Sequence, residues 1–373
     1  MIALIWIDWY PYHHARLRAL TRHPRIGAGV AGIEMVGRSG VHKGLTFREA
    51  AEPALPVDTL LPASSWSLYT QARLGFAVWK KLSRLNPGTV FVPGYYTVPA
   101  FAAAVWARLH RRKTVLMTES TQQDHRRSGC KEAVKSFLIR HLFDYAIAGG
   151  KPHVRYLLAL GFSEERIRRN YDVVDNEFFS EAATLCRQSG ARAHSPYFLY
   201  VGRLAEEKNV AGLIESYALY RMAGGSWPLV IVGSGPLERE LKAQAACTGF
   251  GQDIRFEGMR SSRELPHYYA FAGCFVLPSL REPWGLVVNE AMASAIPVMV
   301  SSRCGCAEDL VEDGANGFLF NPAVCGQLTK CMMTVTSLPT PDRERMGQRS
   351  YEIISRFSPD VWAEQVLEIS SAA

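Results

Sequence analysis

No apolar run in the 373-residue chain approaches the roughly 20 residues needed to span a bilayer, so no transmembrane helix is expected. The opening MIALIWIDWY has no basic leader ahead of its apolar run and reads as a first buried strand rather than a signal peptide. Eight cysteines are scattered without a ligand-like rhythm. Cys304 and Cys306 are one residue apart rather than two to four, and no histidine pair accompanies them. Reduced, mostly buried thiols in the cytosol are therefore expected, and no metal site. No nucleic-acid-binding motif, short-period repeat or low-complexity segment is present. Gly233-Ser234-Gly235-Pro236 follows a strand, but Glu238 stands where a dinucleotide fingerprint needs its third glycine. The turn also follows the second strand of its half, not the first, which argues against an oxidoreductase.

What is present fits a globular enzyme: 48% hydrophobic and 21% charged residues, in a chain too long for one ordinary core and suited to two domains. The charge is unevenly shared. Residues 1–170 hold 25 Lys+Arg against 11 Asp+Glu, a balance of +14, and residues 171–373 hold 17 against 24, a balance of −7. A basic first half suggests an anionic partner, either a membrane surface or a phosphorylated acceptor, with plain solubility as the alternative. No nucleic acid is expected as a partner.

Strands alternate with single helices throughout, which implies parallel, doubly wound sheets. In the first half, strands are expected at 2–7, 33–36, 89–92, 114–117 and 145–148, and a helix over 66–85 is stopped by Asn86-Pro87-Gly88. Residues 171–196 are mixed and polar without sustained periodicity and read as a linker. From Tyr197 the alternation restarts. Near the end, Ser358-Pro359-Asp360 starts a last helix with no evident partner in the second half.

The chemistry concentrates in CFVLPSLREPWGLVVNEAMASAIPVMVSSRCGCAEDLVEDGANGFLF, residues 274–320. A buried strand runs into the loop Glu282-Pro283-Trp284-Gly285, and a helix starts near Leu286 and carries Glu290. This arrangement puts the loop at the carboxyl edge of a parallel sheet, beside helix N–H groups suited to an anion. Glu282 and Glu290 do not form a glycosidase pair. Eight helical residues would separate them by about 12 Å, and Pro283 and Gly285 break any common helix. They suit hydrogen bonds from different hydroxyls of one extended ligand. Arg203 and Lys208, at the carboxyl end of the second half's first strand, would project two cations suited to a diphosphate.

VGRLAEEKNVAGLIESY, IVGSGP, FEG, the E-x7-E from Glu282 to Glu290 and the NGFLF behind it together resemble the retaining glycosyltransferases of family 4. The likeness is dense over 197–322; the first half matches in pattern only. It implies the GT-B fold, an α/β architecture of two Rossmann-like, doubly wound parallel-sheet domains facing across a cleft. The domains would be 1–170 for the acceptor, with helix 358–373 packed back onto it, and 197–357 for the donor. By this resemblance Gly202, Arg203 and Lys208 would lie at the diphosphate of a nucleotide-sugar, probed further by the N–H groups of Gly285, Leu286 and Val287. Glu282 would hold the donor sugar's hydroxyls, Glu290 the ribose, and Met259 would lie near the base. His125, by the same likeness, is a candidate for orienting the acceptor, or a surface histidine without a role. Arg126 and Arg127 would hold a phosphate or merely solvate a loop. The first loop, Asp8-Trp9-Tyr10-Pro11-Tyr12-His13-His14, lacks the family's frequent glycines, and Cys304-Gly305-Cys306-Ala307-Glu308 departs from its GGxxE turn.

The expected function is transfer of a hexose from a UDP- or GDP-sugar to a hydroxyl of a glycan or lipid-linked acceptor, as in bacterial polysaccharide synthesis. It needs no metal or other cofactor and would run in the cytoplasm. Contact with the inner face of an anionic membrane stays open, as does a seat on it for the basic, amphipathic helix 131–143. A GT-B epimerase or phosphorylase, or a non-catalytic sugar-nucleotide-binding subunit, is the alternative.

Overall fold

Each half of the chain builds an all-parallel sheet with helices on its faces. The computed structural model describes residues 1–26, 29–37, 55–62, 66–123, 128–189 and 195–372. Two units emerge, Met1–Val174 with Pro359–Ala373, and Asp175–Ser358.

The first unit runs β1 (Ile2–Trp6), α1 (Pro11–Arg22), β2 (Val30–Val36), β3 (Val57–Leu61), α2 (Leu68–Leu85), β4 (Thr89–Pro93), α3 (Val98–Leu109), β5 (Lys113–Thr118), α4 (Gly129–Leu142), β6 (Tyr145–Ala148), α5 (Lys151–Ala159) and β7 (Ile167–Arg168). Its sheet order is β3-β2-β1-β4-β5-β6-β7. Covered on both faces, the central strands are continuous apolar runs, with every residue of β1 and β2 buried. The edge strand β3 has no fully buried residue, and so gives no apolar signal in the sequence. Helix ends follow capping chemistry. The Ser67 side chain accepts from the Thr70 N–H at 3.1 Å to start α2, and Asn86, left-handed at φ 46°, ends it.

Four of this unit's arginines have a structural role. Crossover helices run back against the strands, so their C-termini lie at the amino edge of the sheet. Arg22, Arg84, Arg108 and Arg140 occupy the last turns of α1 to α4, where cations offset the helix dipole. Helix α4 fully buries only Ile139 and leaves Val134 and Phe137 exposed. Among the described residues, no helix is long and apolar enough to cross a membrane.

The second unit runs α6 (Asn176–Gln188), β8 (Tyr197–Val201), α7 (Val210–Met222), β9 (Leu229–Val232), α8 (Glu238–Cys247), β10 (Ile254–Gly258), α9 (Leu265–Phe271), β11 (Ala272–Leu277), α10 (Leu286–Ala293), β12 (Val298–Ser301), α11 (Ala307–Leu310), β13 (Gly317–Phe320), α12 (Gln327–Ser337) and α13 (Thr340–Ile354). Its sheet order is β10-β9-β8-β11-β12-β13. Helix α6 corrects the reading of 171–196 as an aperiodic linker. It is capped by Asp175, whose carboxylate accepts from the Phe178 N–H at 3.1 Å. Arg187 anchors its end, donating to Ala270 O at 3.0 Å and Ser294 O at 2.6 Å. The helix buries Asn176, Phe179 and Ala183 along one amphipathic face.

The last helix, α14 (Pro359–Ser371), belongs to the first unit. Trp362 is fully buried with its ring 6.3 Å from Trp6, and Glu364 pairs with His23 at 2.8 Å. At its C-terminus the Lys113 ammonium donates to the carbonyls of Ile369 at 3.0 Å and Ser370 at 3.2 Å, groups the helix leaves open.

Candidate functional site

The second sheet reverses direction between β8 and β11, and in such sheets ligands bind where the loops part at the carboxyl edge. The loops leaving β8 and β11 at that point carry Arg203, Lys208, Ser279 and Glu282. Backbone bonds join them: Leu280 N–H donates to Glu207 O at 2.8 Å, and Asn209 Nδ2 donates to Pro278 O at 3.2 Å.

The loop after β9 supports the first of these by direct backbone packing. Gly202 N–H donates to Val232 O at 3.0 Å and Leu204 N–H to Ser234 O at 2.9 Å. Gly233 has φ 138°, and a Cβ there would stand 1.9 Å from the Gly202 carbonyl oxygen. The glycine-serine-glycine turn is thus a backbone crossing that fixes the loop bearing Arg203.

Neither cation stands open as the sequence suggested. Lys208 pairs with Glu282, and Arg203 pairs with Glu207. Ser279 Oγ also donates to Glu282 Oε2 at 3.2 Å. The correction comes from carboxylates in both loops. Glu207 follows Arg203 by four residues, a spacing that can be read in the sequence, whereas the Lys208–Glu282 pair depends on the two loops meeting. Beneath them the Tyr200 hydroxyl donates to Arg203 O at 2.9 Å, and burial, with the charges of Glu282 and Glu207, pushes its pKa well up.

The loop from Glu282 to Gly285 is braced by the cysteine-containing turn. Gly305 N–H donates to Glu282 O at 2.9 Å and Cys306 N–H to Trp284 O at 3.2 Å. Trp284 is buried, and its indole N–H donates to Asn289 Oδ1 at 2.9 Å, tying the loop to the helix that follows. Gly285 caps that helix in a left-handed conformation, φ 108°, with Leu277 Cδ2 only 2.9 Å from where a Cβ would be. It brings no capping side chain, so the first-turn N–H groups, those of Leu286 and Val287, are left to other partners at the carboxyl edge.

Glu290 lies one turn further along α10. Burial pushes its carboxyl up to about 7, while the Tyr269 hydroxyl, donating to Oε2 at 2.7 Å, favours the ionised form. Tyr269 on α9 is fully buried and was not singled out from the sequence, where it is one of two adjacent tyrosines in a short apolar helix. Met259 is 39% exposed beyond β10, next to Gly258, whose carbonyl accepts from Gly233 N–H at 2.8 Å. His125, with Asp124, Arg126 and Arg127, lies outside the described residues. Among the described residues, no three His, Cys, Asp or Glu side chains are grouped to hold a metal ion.

The arrangement combines loop cations, a helix N-terminus and two separated carboxylates. The model of the family "glycosyl transferases group 1" matches residues 183–353, which contain all of it. This segment belongs to that family. Curated relatives are similar to about half of the chain. The sulfoquinovosyl transferase SQD2 of Arabidopsis thaliana is 30% identical over 190 residues, 49% of this chain and 34% of that protein. The alpha-D-kanosaminyltransferase of Streptomyces kanamyceticus is 28% identical over 191 residues, 50% of this chain and 49% of that one. The chain thus spans a third to a half of the length of these relatives. Among solved structures, Anabaena HepE in complex with UDP superposes with a TM-score of 0.73 at 20% identity, each chain covered completely. Sucrose-phosphate synthase of Thermosynechococcus elongatus gives 0.75 at 18%, covering 99% and 97%. These likenesses establish the fold: two Rossmann-like parallel sheets of the GT-B class.

Proposed function

We propose that the chain is a retaining glycosyltransferase that moves a hexose from a UDP- or GDP-sugar to a hydroxyl of a glycan or lipid-linked acceptor. The observation that carries this reading is the convergence, at one switch point, of the Lys208–Glu282 pair, Arg203 and the N-terminus of α10. The diphosphate would enter beside Lys208 and Arg203 and face the N–H groups of Gly285, Leu286 and Val287. Glu282, released from its partner or sharing it, would accept from the sugar's hydroxyls, and Glu290 from those of the ribose. Met259 would flank the base, and Gly202 would allow the backbone to approach the phosphates. Catalysis would come from positioning and from stabilising the departing diphosphate, a task these cations and N–H groups perform without a metal. His125 remains the candidate for orienting the acceptor. The enzyme would work in the cytoplasm, at the inner face of the membrane where the acceptor is lipid-linked.

Thermal shift with a panel of UDP- and GDP-sugars tests this, followed by transfer assays with the one that stabilises the protein. That donor should bind at least 10-fold more weakly to Lys208→Ala. A panel in which none stabilises the protein, or a Lys208→Ala variant with unchanged donor affinity, would sink the reading.

A further inference from the structure

The ladder between β8 and β11 stops short of the site. Its last registered pair is Phe275 with Leu199, two residues before the end of either strand. Beyond that pair the strands part, so the sheet itself does not set how the loop at 203–209 meets the loop at 278–282. Besides the Lys208–Glu282 pair, three hydrogen bonds among the described residues do so. The Glu207 carbonyl accepts from Leu280 N–H at 2.8 Å and from Arg281 N–H at 3.3 Å, and the Asn209 amide donates to Pro278 O at 3.2 Å. The first two are backbone bonds, open to any residue with an N–H. The third depends on one side chain.

Asn209 suits this place in two respects. It stands in a left-handed conformation, φ 54°, which asparagine and glycine tolerate better than other residues. It is also the N-cap of α7, where an asparagine side chain ordinarily accepts from the first N–H groups of the helix. No such bond forms here. The amide reaches the other loop instead, and on the way it lies against Gly212, where a Cβ would stand 2.7 Å from Asn209 Oδ1 and 2.9 Å from Nδ2. Gly212 thus leaves the space that the amide fills. The side chain gives its own helix no cap and joins two loops.

Lys208 directly precedes Asn209, and Glu282 follows Pro278 by four residues, so the cross-link holds the backbone on both sides of the Lys208–Glu282 pair. A lysine on its flexible four-carbon stem sweeps a wide arc unless its backbone is fixed, and an ammonium spread over that arc serves a diphosphate poorly. We propose that Asn209 is a positioning residue for the donor: its amide fixes the backbone of Lys208 against the loop that carries Glu282. The inference rests on the glycosyltransferase reading of this site, to which it adds a residue acting through Lys208 rather than on the donor itself.

Asn209→Gly separates the two properties, since glycine keeps the left-handed backbone and removes the amide. Gly212→Ala displaces the amide from the other side and leaves Asn209 in place. The probes are UDP and GDP, titrated by calorimetry into the full chain, and the one that the wild type binds more tightly is followed. Each variant should bind it about five-fold more weakly, the size of one lost hydrogen bond. In a Lys208→Ala background, Asn209→Gly should change that affinity by less than about two-fold, because the group it positions is gone. Brief acetylation by an activated ester, read by mass spectrometry, should modify Lys208 at least twice as fast in both variants as in the wild type, because its ammonium spends less time against Glu282. Lys242 on α8, half exposed, should keep its rate. Wild-type nucleotide affinity in Asn209→Gly, or an equal loss once Lys208 is already removed, overturns the positioning role, as does Lys208 acetylation that neither variant changes. Failure of both nucleotides to bind the wild type overturns the donor reading instead, and the acetylation comparison then decides by itself whether Asn209 holds Lys208.

Discussion

If the donor's ribose binds at Glu290 as proposed, this half-buried carboxyl makes donor binding a pH-dependent event whose sign and size can be worked out. Its pKa is raised from the ordinary 4.5 to about 7, chiefly by burial. A raised carboxyl pKa means that the folded protein holds the proton more tightly than the unfolded chain. The resulting cost to stability is absent below about pH 4.5, grows through the interval to about 7, and is complete above it. It amounts to about 3 kcal/mol. Glu290→Gln should therefore leave stability nearly unchanged at pH 5 and raise it at pH 8. If the ribose hydroxyls donate to this group, they require the carboxylate, because Tyr269 already occupies one side of it. Donor affinity should then follow the ionised fraction and fall about 30-fold from pH 8 to pH 5.5, with a proton released on binding near pH 6. Both phosphates of a nucleotide-sugar are diesters without an ionisation in this range, so the slope belongs to the protein. Calorimetry of the stabilising nucleotide-sugar across that range, in buffers of different ionisation heat, measures both quantities. Tyr269→Phe should move the midpoint above 7, because the bond favouring the carboxylate is lost. A dissociation constant that varies less than three-fold over the range, or the same slope in Glu290→Gln, would refute the reasoning.

Two further outcomes follow from packing. Gly233→Ala puts a methyl group on the Gly202 carbonyl in a left-handed backbone, and should cost at least about 2 kcal/mol, lowering the melting temperature of the second unit by about 4–8 °C; an unchanged melting curve would contradict the crossing described. Cys274, Cys304 and Cys306 are buried with pKa values pushed up by burial, while Cys130, Cys247 and Cys325 are exposed. Brief iodoacetamide treatment read by mass spectrometry should label the second three and spare the first.

What the sequence revealed depended on whether a signal was local. Runs such as FVLP and LVIV and the stop at Asn86-Pro87-Gly88 mark elements through the side chains of adjacent residues, and those elements stand where expected. Among the elements that escaped notice, two are held by distant contacts. Helix α6 is held by Arg187 reaching two carbonyls some eighty and a hundred residues away. The two-residue strand β7 exists only through its ladder with β6. The same division holds within the site. The E-x7-E spacing identified both acids, but not that one of them lies under a buried tyrosine from another helix.

If a nucleotide-sugar binds as proposed, the pairing of the loop cations with carboxylates changes what its binding must do. A lysine waiting in water for a diphosphate would contribute its full attraction less its own desolvation. Lys208 is instead already a partner of Glu282, which Ser279 also holds, and Arg203 of Glu207. An incoming diphosphate therefore exchanges one anionic partner for another, and the net gain per cation is the difference between the two. That exchange would leave Glu282 with lone pairs to offer at the moment the donor's sugar hydroxyls arrive, so diphosphate and sugar would be recognised by one coupled rearrangement. On this account, Glu282→Gln strengthens binding of free UDP, whose phosphates no longer compete with a carboxylate, and weakens binding of the intact nucleotide-sugar. A ranking in which both ligands lose affinity equally would show the carboxylate to be a mere brace for Lys208.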